Sequence, residues 1–234
     1  MKRILILIFF VLFANVNLVY ANETFGPKES RLIFDGDKNS IVYRMENNGK
    51  LAWLVQAWVE DANEVKTDLF KVVPMLFRVE PLSQSTAQVI KTKKLKEDRE
   101  TLFWVVSNSL PGGENQKGTS KDDKIDAKLN LAFRYKVPMI YRPSSLKGIK
   151  QSPESLTWSV DRNGKMKVYN PTKYAIQLQH IKINGTQKEG KGITYIISPL
   201  SGSTLDLSAK VGLQFKYGIV NDYGAVNEYE GVVK

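Results

Sequence analysis

Apolar residues stand at Ile125, Ala127, Leu129, Leu131, Phe133, Tyr135 and Val137, with Asp126, Lys128, Asn130, Arg134 and Lys136 between them; only Ala132 breaks the alternation. A period of two is that of an extended strand, whose successive side chains point to opposite faces. The run is long for a strand in a domain of ordinary size, so it carries more apolar face than one sheet needs. By itself the pattern fits a core strand of a β-sandwich as well as a strand offered to a partner.

Shorter β-rich segments, separated by turn residues, recur on both sides of it. Before it come Ser30 to Phe34, Ser40 to Glu46, Trp53 to Val59, Phe70 to Val73, Ser85 to Ile90 and Thr101 to Asn108. After the stretch from Pro143 to Pro153 come Leu156 to Val160, Lys165 to Asn170, Ala175 to Ile183, Ile193 to Ile197, Ser203 to Leu207, Leu213 to Asn221 and Val226 to Val232. Capped stretches of helical period are missing. Many short strands at this spacing predict an all-β chain of two antiparallel sandwiches in tandem. The expected division is residues 22–143, a linker at 144–150, and residues 151–234. Asp161-Arg162-Asn163-Gly164 places Asn-Gly between two strands, which predicts a tight hairpin with positive φ. Residues 109–124 form a polar, Gly-rich loop ahead of the alternating strand, and loops of that length tend to be functional or disordered.

The opening residues add a compartment. Lys2 and Arg3 precede the apolar run Ile4 to Phe13 and the sequence Val19-Tyr20-Ala21, the pattern of a secretory signal peptide over residues 1–21, too short for a membrane anchor. No other segment is apolar enough to span a bilayer, so no membrane insertion of the mature chain is expected. The formal charge is +10; removing Lys2 and Arg3 leaves 32 basic against 24 acidic residues, or +8. With no cysteine, an exported chain must rely on burial instead of disulfides. The lysines are spread out, as at Lys91 to Lys96, and read as a solvated surface that can also attract acidic partners. Nucleic acid is not expected as a partner, because no reading helix or aromatic-basic motif accompanies the charge.

The chain resembles the periplasmic chaperones of the chaperone-usher pathway, which fold and deliver pilus subunits. The resemblance covers nearly the whole mature chain. It rests on Ser30-Arg31-Leu32-Ile33-Phe34-Asp35-Gly36, Gln56-Ala57-Trp58-Val59-Glu60, Pro74-Met75-Leu76-Phe77-Arg78-Val79-Glu80-Pro81 and Asp98-Arg99-Glu100-Thr101-Leu102-Phe103-Trp104. It continues through Tyr141-Arg142-Pro143, Asn170-Pro171-Thr172, Ile183-Asn184-Gly185 and Asn221-Asp222-Tyr223-Gly224, all in the family's order. The resemblance implies two immunoglobulin-like sandwiches set in an L, with pilus or fimbrial subunits and an outer-membrane usher as partners. It also implies strand donation: the subunit lacks its last strand, and the chaperone supplies it. The donor face would be Leu129, Leu131 and Phe133, extended by Ile125 and Ala127.

The resemblance further implies an ionic anchor for the subunit's terminal carboxylate. Arg31 matches the family's arginine. The family's lysine falls on Pro138, and the nearest lysine is Lys136, about 6 to 7 Å away along a strand. Three arrangements are open: Lys136 reaches the site, a bulge at Pro138 shifts the register, or Arg31 anchors alone. Glu100, Arg142 and Asp222 match a set of charges that bridges the two domains.

Catalysis and metals find no support. His180 is the only histidine, too few ligands for an ordinary His/Cys site, and it reads as a strand-face residue. No phosphate loop or nucleophile elbow is present, so no enzyme, catalytic residue or cofactor is expected. Asn184-Gly185-Thr186 reads as a turn, and Met75, Met139 and Trp104 as core. The rival reading is an exported two-domain adhesion or ligand-binding module. The apolar donor edge also motivates a self-capping homodimer of the free protein.

Overall fold

The computed structural model describes residues 23–112 and 132–234. The signal peptide of residues 1–21 lies outside the described residues, as do Ile125, Ala127, Leu129 and Leu131 of the alternating strand. Among the described residues no helix is long and apolar enough to cross a membrane.

Among the described residues the first sandwich holds nine strands: β1 (Phe25–Pro27), β2 (Leu32–Asp35), β3 (Ser40–Asn47), β4 (Trp53–Asp61), β5 (Phe70–Val73), β6 (Leu76–Val79), β7 (Ser83–Lys91), β8 (Thr101–Pro111) and β9 (Phe133–Arg142). They form a four-stranded sheet ordered β1-β3-β7-β5 and a five-stranded sheet ordered β2-β9-β8-β4-β6. Alternation explains the strands well. In β4, Trp53, Val55, Ala57 and Val59 are buried while Leu54 and Gln56 face outward, the period-two pattern of a sheet with one face on a core. Phe34, Tyr43, Met45, Phe103, Val105 and Met139 fill the space between the sheets. The Tyr43 hydroxyl lies 2.9 Å from Ser107 Oγ and ties the two sheets together.

Two short 3₁₀ turns, Ser144–Leu146 and Pro153–Ser155, lead into the second sandwich. Its strands are β10 (Thr157–Val160), β11 (Lys165–Asn170), β12 (Ile176–Ile183), β13 (Thr186–Glu189), β14 (Tyr195–Ile197), β15 (Ser201–Ser208), β16 (Gln214–Val220) and β17 (Val226–Val232). One sheet runs β10-β11-β15; the other runs β13-β12-β16-β17, with β14 also paired to β12. Trp158, Met166, Leu178, Ile181, Tyr217 and Ile219 form its core. Buried Asn170 shapes a loop from within: its amide donates to Tyr174 O at 2.7 Å, and its Oδ1 accepts from Thr172 N at 3.0 Å. Asn47 does the same in the first sandwich, donating to Leu51 O and Glu80 O. Both asparagines are fully buried and hydrogen-bonded at both ends of the amide.

A third, smaller cluster joins the domains. Leu102, Ile140 and Ala175 are buried together, with Ile33, Trp104 and Ile196 packed against them. Leu102 and Ile140 sit on the outer face of the five-stranded sheet, so the second domain covers part of a face that would otherwise meet water. This explains why β8 is buried on both faces over much of its length.

Several expectations are corrected by the structure. The alternating strand does not end at Val137 but continues to Arg142. The predicted loop start at Ser109 is still strand, since β8 runs to Pro111. There is no bulge at Pro138: the β8–β9 register is unbroken from Ser109↔Phe133 to Thr101↔Tyr141. Proline is accommodated because pairing with β2 begins one residue later, at Leu32↔Met139, leaving Pro138 at an edge position. Met139 is core, but Met75 is 51% exposed, and Trp104 belongs to the interdomain cluster. The segments β1, β6 and β13 are strands beyond those that the sequence pattern predicts. Asn163 does not take positive φ; Gly164 alone does, at 72°. Asp161 Oδ1 accepts from the N–H groups of Asn163 and Lys165 and makes a three-residue loop with glycine last. The two-residue hairpin is instead at Asn184-Gly185, with φ of 48° and 81°.

Candidate functional site

Arg31 immediately precedes β2, and the Leu32↔Met139 pair puts it level with Pro138. Its guanidinium reaches into the second domain. Nη1 donates to Asn221 O at 2.9 Å and Val220 O at 3.2 Å, and Nη2 donates to Gln177 Oε1 at 2.6 Å. Gln177 and Val220 are register partners on β12 and β16, so strand pairing itself sets these acceptors side by side. The Nε–H is buried with no partner. Burial pulls the guanidinium below its usual pKa, against an opposing pull from Asp222 and Glu100 acting at a distance.

Those two acids are taken by Arg142, at the end of β9. Its Nε donates to Glu100 Oε1 at 2.5 Å, while Nη1 and Nη2 donate to the two Asp222 oxygens at 2.6 and 3.0 Å. Such bidentate pairing fixes orientation as well as charge. Glu100 Oε2 accepts from Ala175 N at 2.7 Å, and Glu100 N donates to Lys173 O at 2.9 Å. Arg142 also lies 5.5 Å over the Tyr174 ring. Burial pushes Glu100 up, with Arg142 opposing. Burial, the largest single influence, pushes Asp222 up, but the hydrogen bonds and charge of Arg142, the charge of Arg31 and a hydrogen bond from Gln151 together hold that carboxyl below its usual range. Glu100, Arg142 and Asp222 are thus brought together across the domain boundary, as one network with the Tyr174 loop.

Lys136 is not brought to Arg31. It points from the outer face of β9 toward carboxylates of its own domain, 2.8 Å from Glu64 and 3.3 Å from Glu60, as ion pairs without hydrogen-bond geometry. Glu60 is 4% exposed and also accepts from Arg134 at 2.7 Å and from Trp58 Nε1 at 2.9 Å. Arg134 lies over Trp58, and Lys136 over Trp104. The reason is register: β9 is straight through Pro138, so a lysine two residues back stays opposite Val106, within reach of Glu60 on β4 and Glu64 in the turn after it.

Phe133, the one expected donor-face residue among those described, opens β9. It lies 5.3 Å from Trp53 and 6.0 Å from Tyr135 by ring centroids and is 37% exposed. It therefore half-closes the open end of its own sandwich, and only part of its surface is left for a partner. His180 is buried on β12 with its ring against Gly218 of the neighbouring strand. Among the described residues no group of acids and histidine could hold a metal ion. Gln177 was missed by sequence reasoning. It alternates with Ile176 and Leu178 and so reads as an ordinary solvent-facing strand residue; only the meeting of the two domains gives it a partner.

Comparison with known proteins places these features. Residues 24–147 match the family described as pili and flagellar-assembly chaperone, PapD N-terminal domain, and residues 151–231 match the pili assembly chaperone PapD C-terminal domain. The chain is 31% identical to the probable fimbrial chaperone LpfB of Escherichia coli O157:H7, over 80% of this chain and 78% of that one. It is 29% identical to the chaperone protein PapD of Escherichia coli, over 79% and 77%. Among solved structures it resembles the SafB chaperone of Salmonella enterica, determined in complex with the SafA pilin. The TM-score is 0.72 at 26% identity, covering 89% of this chain and 96% of the matched chain.

Proposed function

The chain belongs to the family of pili-assembly chaperones, and from that premise we propose that it works in the periplasm by strand donation. It binds newly exported pilus subunits, anchors the subunit's terminal carboxylate at Arg31, fills the subunit's open groove with its alternating strand, and passes the subunit to an outer-membrane usher. The carrying observation is the buried, unpartnered Nε–H of Arg31 at the domain junction. A buried donor without an acceptor is costly, and an incoming carboxylate would relieve it with a charge-assisted bond. Lys136 is committed to Glu60 and Glu64, so the anchor is Arg31 alone.

The strand supplies most of the affinity. Ile125, Leu129 and Leu131 each contribute about 1.5 to 3 kcal/mol on burial, before the cost of ordering. One charge-assisted bond contributes about 1.5 to 3 kcal/mol. The anchor's main role is therefore register: it fixes where the subunit's last residue sits and so which pocket meets which donor residue. Glu100, Arg142 and Asp222 hold the domain junction at which Arg31 sits. The rival adhesion-module reading needs neither the anchor nor the strand. Refolding of a denatured pilin subunit separates the two. The wild-type protein should raise the yield of soluble subunit, and Arg31→Ala and Leu131→Asp should remove the gain; equal yields from all three would refute strand donation.

A further inference from the structure

Arg31 is held only by neutral acceptors. Its direct partners are two backbone carbonyls and one side-chain amide oxygen. Other cations on β9 are held differently: Arg142 by Glu100 and Asp222, Arg134 by Glu60, and Lys136 by Glu60 and Glu64. The carbonyls of Val220 and Asn221 are fixed by the backbone and cannot change with sequence. Among the described residues Gln177 is the one side chain that accepts a hydrogen bond from the Arg31 guanidinium, and at 2.6 Å it makes the shortest of the three bonds. A glutamate there would have nearly the same shape and would fill the charge requirement of Arg31 from within the protein. Glutamine keeps the geometry and leaves the charge unspent.

We propose that Gln177 is a positioning and specificity residue: it aims the Arg31 guanidinium across the domain junction while leaving its charge for the terminal carboxylate of the bound subunit. This rests on the reading of Arg31 as the carboxylate anchor. Gln177 is well placed for the task. Its strand partner Val220 supplies a neighbouring acceptor, so one register pair of β12 and β16 holds both Nη1 and Nη2. The three bonds engage three of the five guanidinium N–H groups, so the Nε–H and the second Nη2–H are the donors left to an incoming anion. Gln177 never touches the anion; it acts through Arg31.

The test compares a short synthetic peptide of alternating apolar and polar residues ending in a free carboxylate with its amidated twin, using the exported protein and fluorescence anisotropy. Wild type should prefer the free acid by roughly tenfold or more, the effect of one charge-assisted bond. Arg31→Ala should lose that preference. Gln177→Glu should also lose it, with a melting temperature no lower than wild type, because the new carboxylate satisfies Arg31 internally. Gln177→Leu removes the tether but not the charge, so it should bind the acid several-fold more weakly yet still prefer it to the amide. If Arg31→Ala retains the wild-type preference, the anchor reading itself fails. If Arg31→Ala loses the preference and Gln177→Glu retains it, the anchor stands and the role of Gln177 is overturned. Gln177→Leu indistinguishable from wild type would overturn the positioning role, and this comparison stands even if Gln177→Glu does not fold.

Discussion

At the scale of single residues, the domain junction depends on a few charges whose contributions differ in kind. Glu100 has no side-chain exposure, and Asp222 is about one-third exposed. Removing one member of a buried pair leaves its partner uncompensated, so Glu100→Ala should cost about 3 to 5 kcal/mol in urea unfolding. Asp222→Asn should cost clearly less, because solvent screens that pair. The pH dependence follows from the directions of the shifts. Asp222 has a folded pKa below 3.8, so its contribution is complete above that value and is lost as pH falls through the lower folded one. Glu100 is raised by burial and has the opposite sign: its cost is felt above its raised pKa and relieved in acid. The deficit of Asp222→Asn relative to wild type, read as melting temperature, should therefore persist from pH 7 down to about pH 4 and close only below it.

Elements of structure were more legible in the sequence than the site they build. Strands with a clean period, such as Trp53 to Val59 and Lys165 to Asn170, could be placed to within a residue or two because one face meets a core. The short β1 and β13 could not, since Phe25–Pro27 is half-buried throughout and Thr186–Glu189 is exposed throughout, leaving no alternation to read. Arg31 and the three interdomain charges were visible because they lie inside recognisable segments. The separation of Lys136 from Arg31 was not visible, because it depends on whether Pro138 shifts the register, which only the sheet decides. A close approach between strands is equally invisible and equally testable. A Cβ on Gly218 would sit 2.3 Å from His180 Cε1, so Gly218→Ala should destabilise the protein by about 1 to 3 kcal/mol through overpacking. Adding His180→Ala should recover most of the loss, which a thermal unfolding cycle of the four proteins would measure. No recovery would mean that backbone conformation, not the imidazole, makes glycine necessary.

For the whole molecule, two sandwiches without disulfides act together because an apolar cluster and an ionic network hold them at one junction, and the proposed anchor draws on both sides of it. Arg31 comes from the first domain and all its direct acceptors from the second. Weakening the junction should therefore weaken client binding even where no client-contacting residue is touched, and Glu100→Ala offers that comparison. The self-capping homodimer expected from the apolar alternation in the sequence is tested by sedimentation at roughly tens of micromolar: a dimer supports it, and a strict monomer there excludes it. The most direct test of the central claim is capture of the cognate pilin from the periplasm by the tagged protein, with and without Arg31→Ala. Wild type should retain a small β-rich subunit and Arg31→Ala should release it; retention of equal amounts by both would contradict an anchor at Arg31.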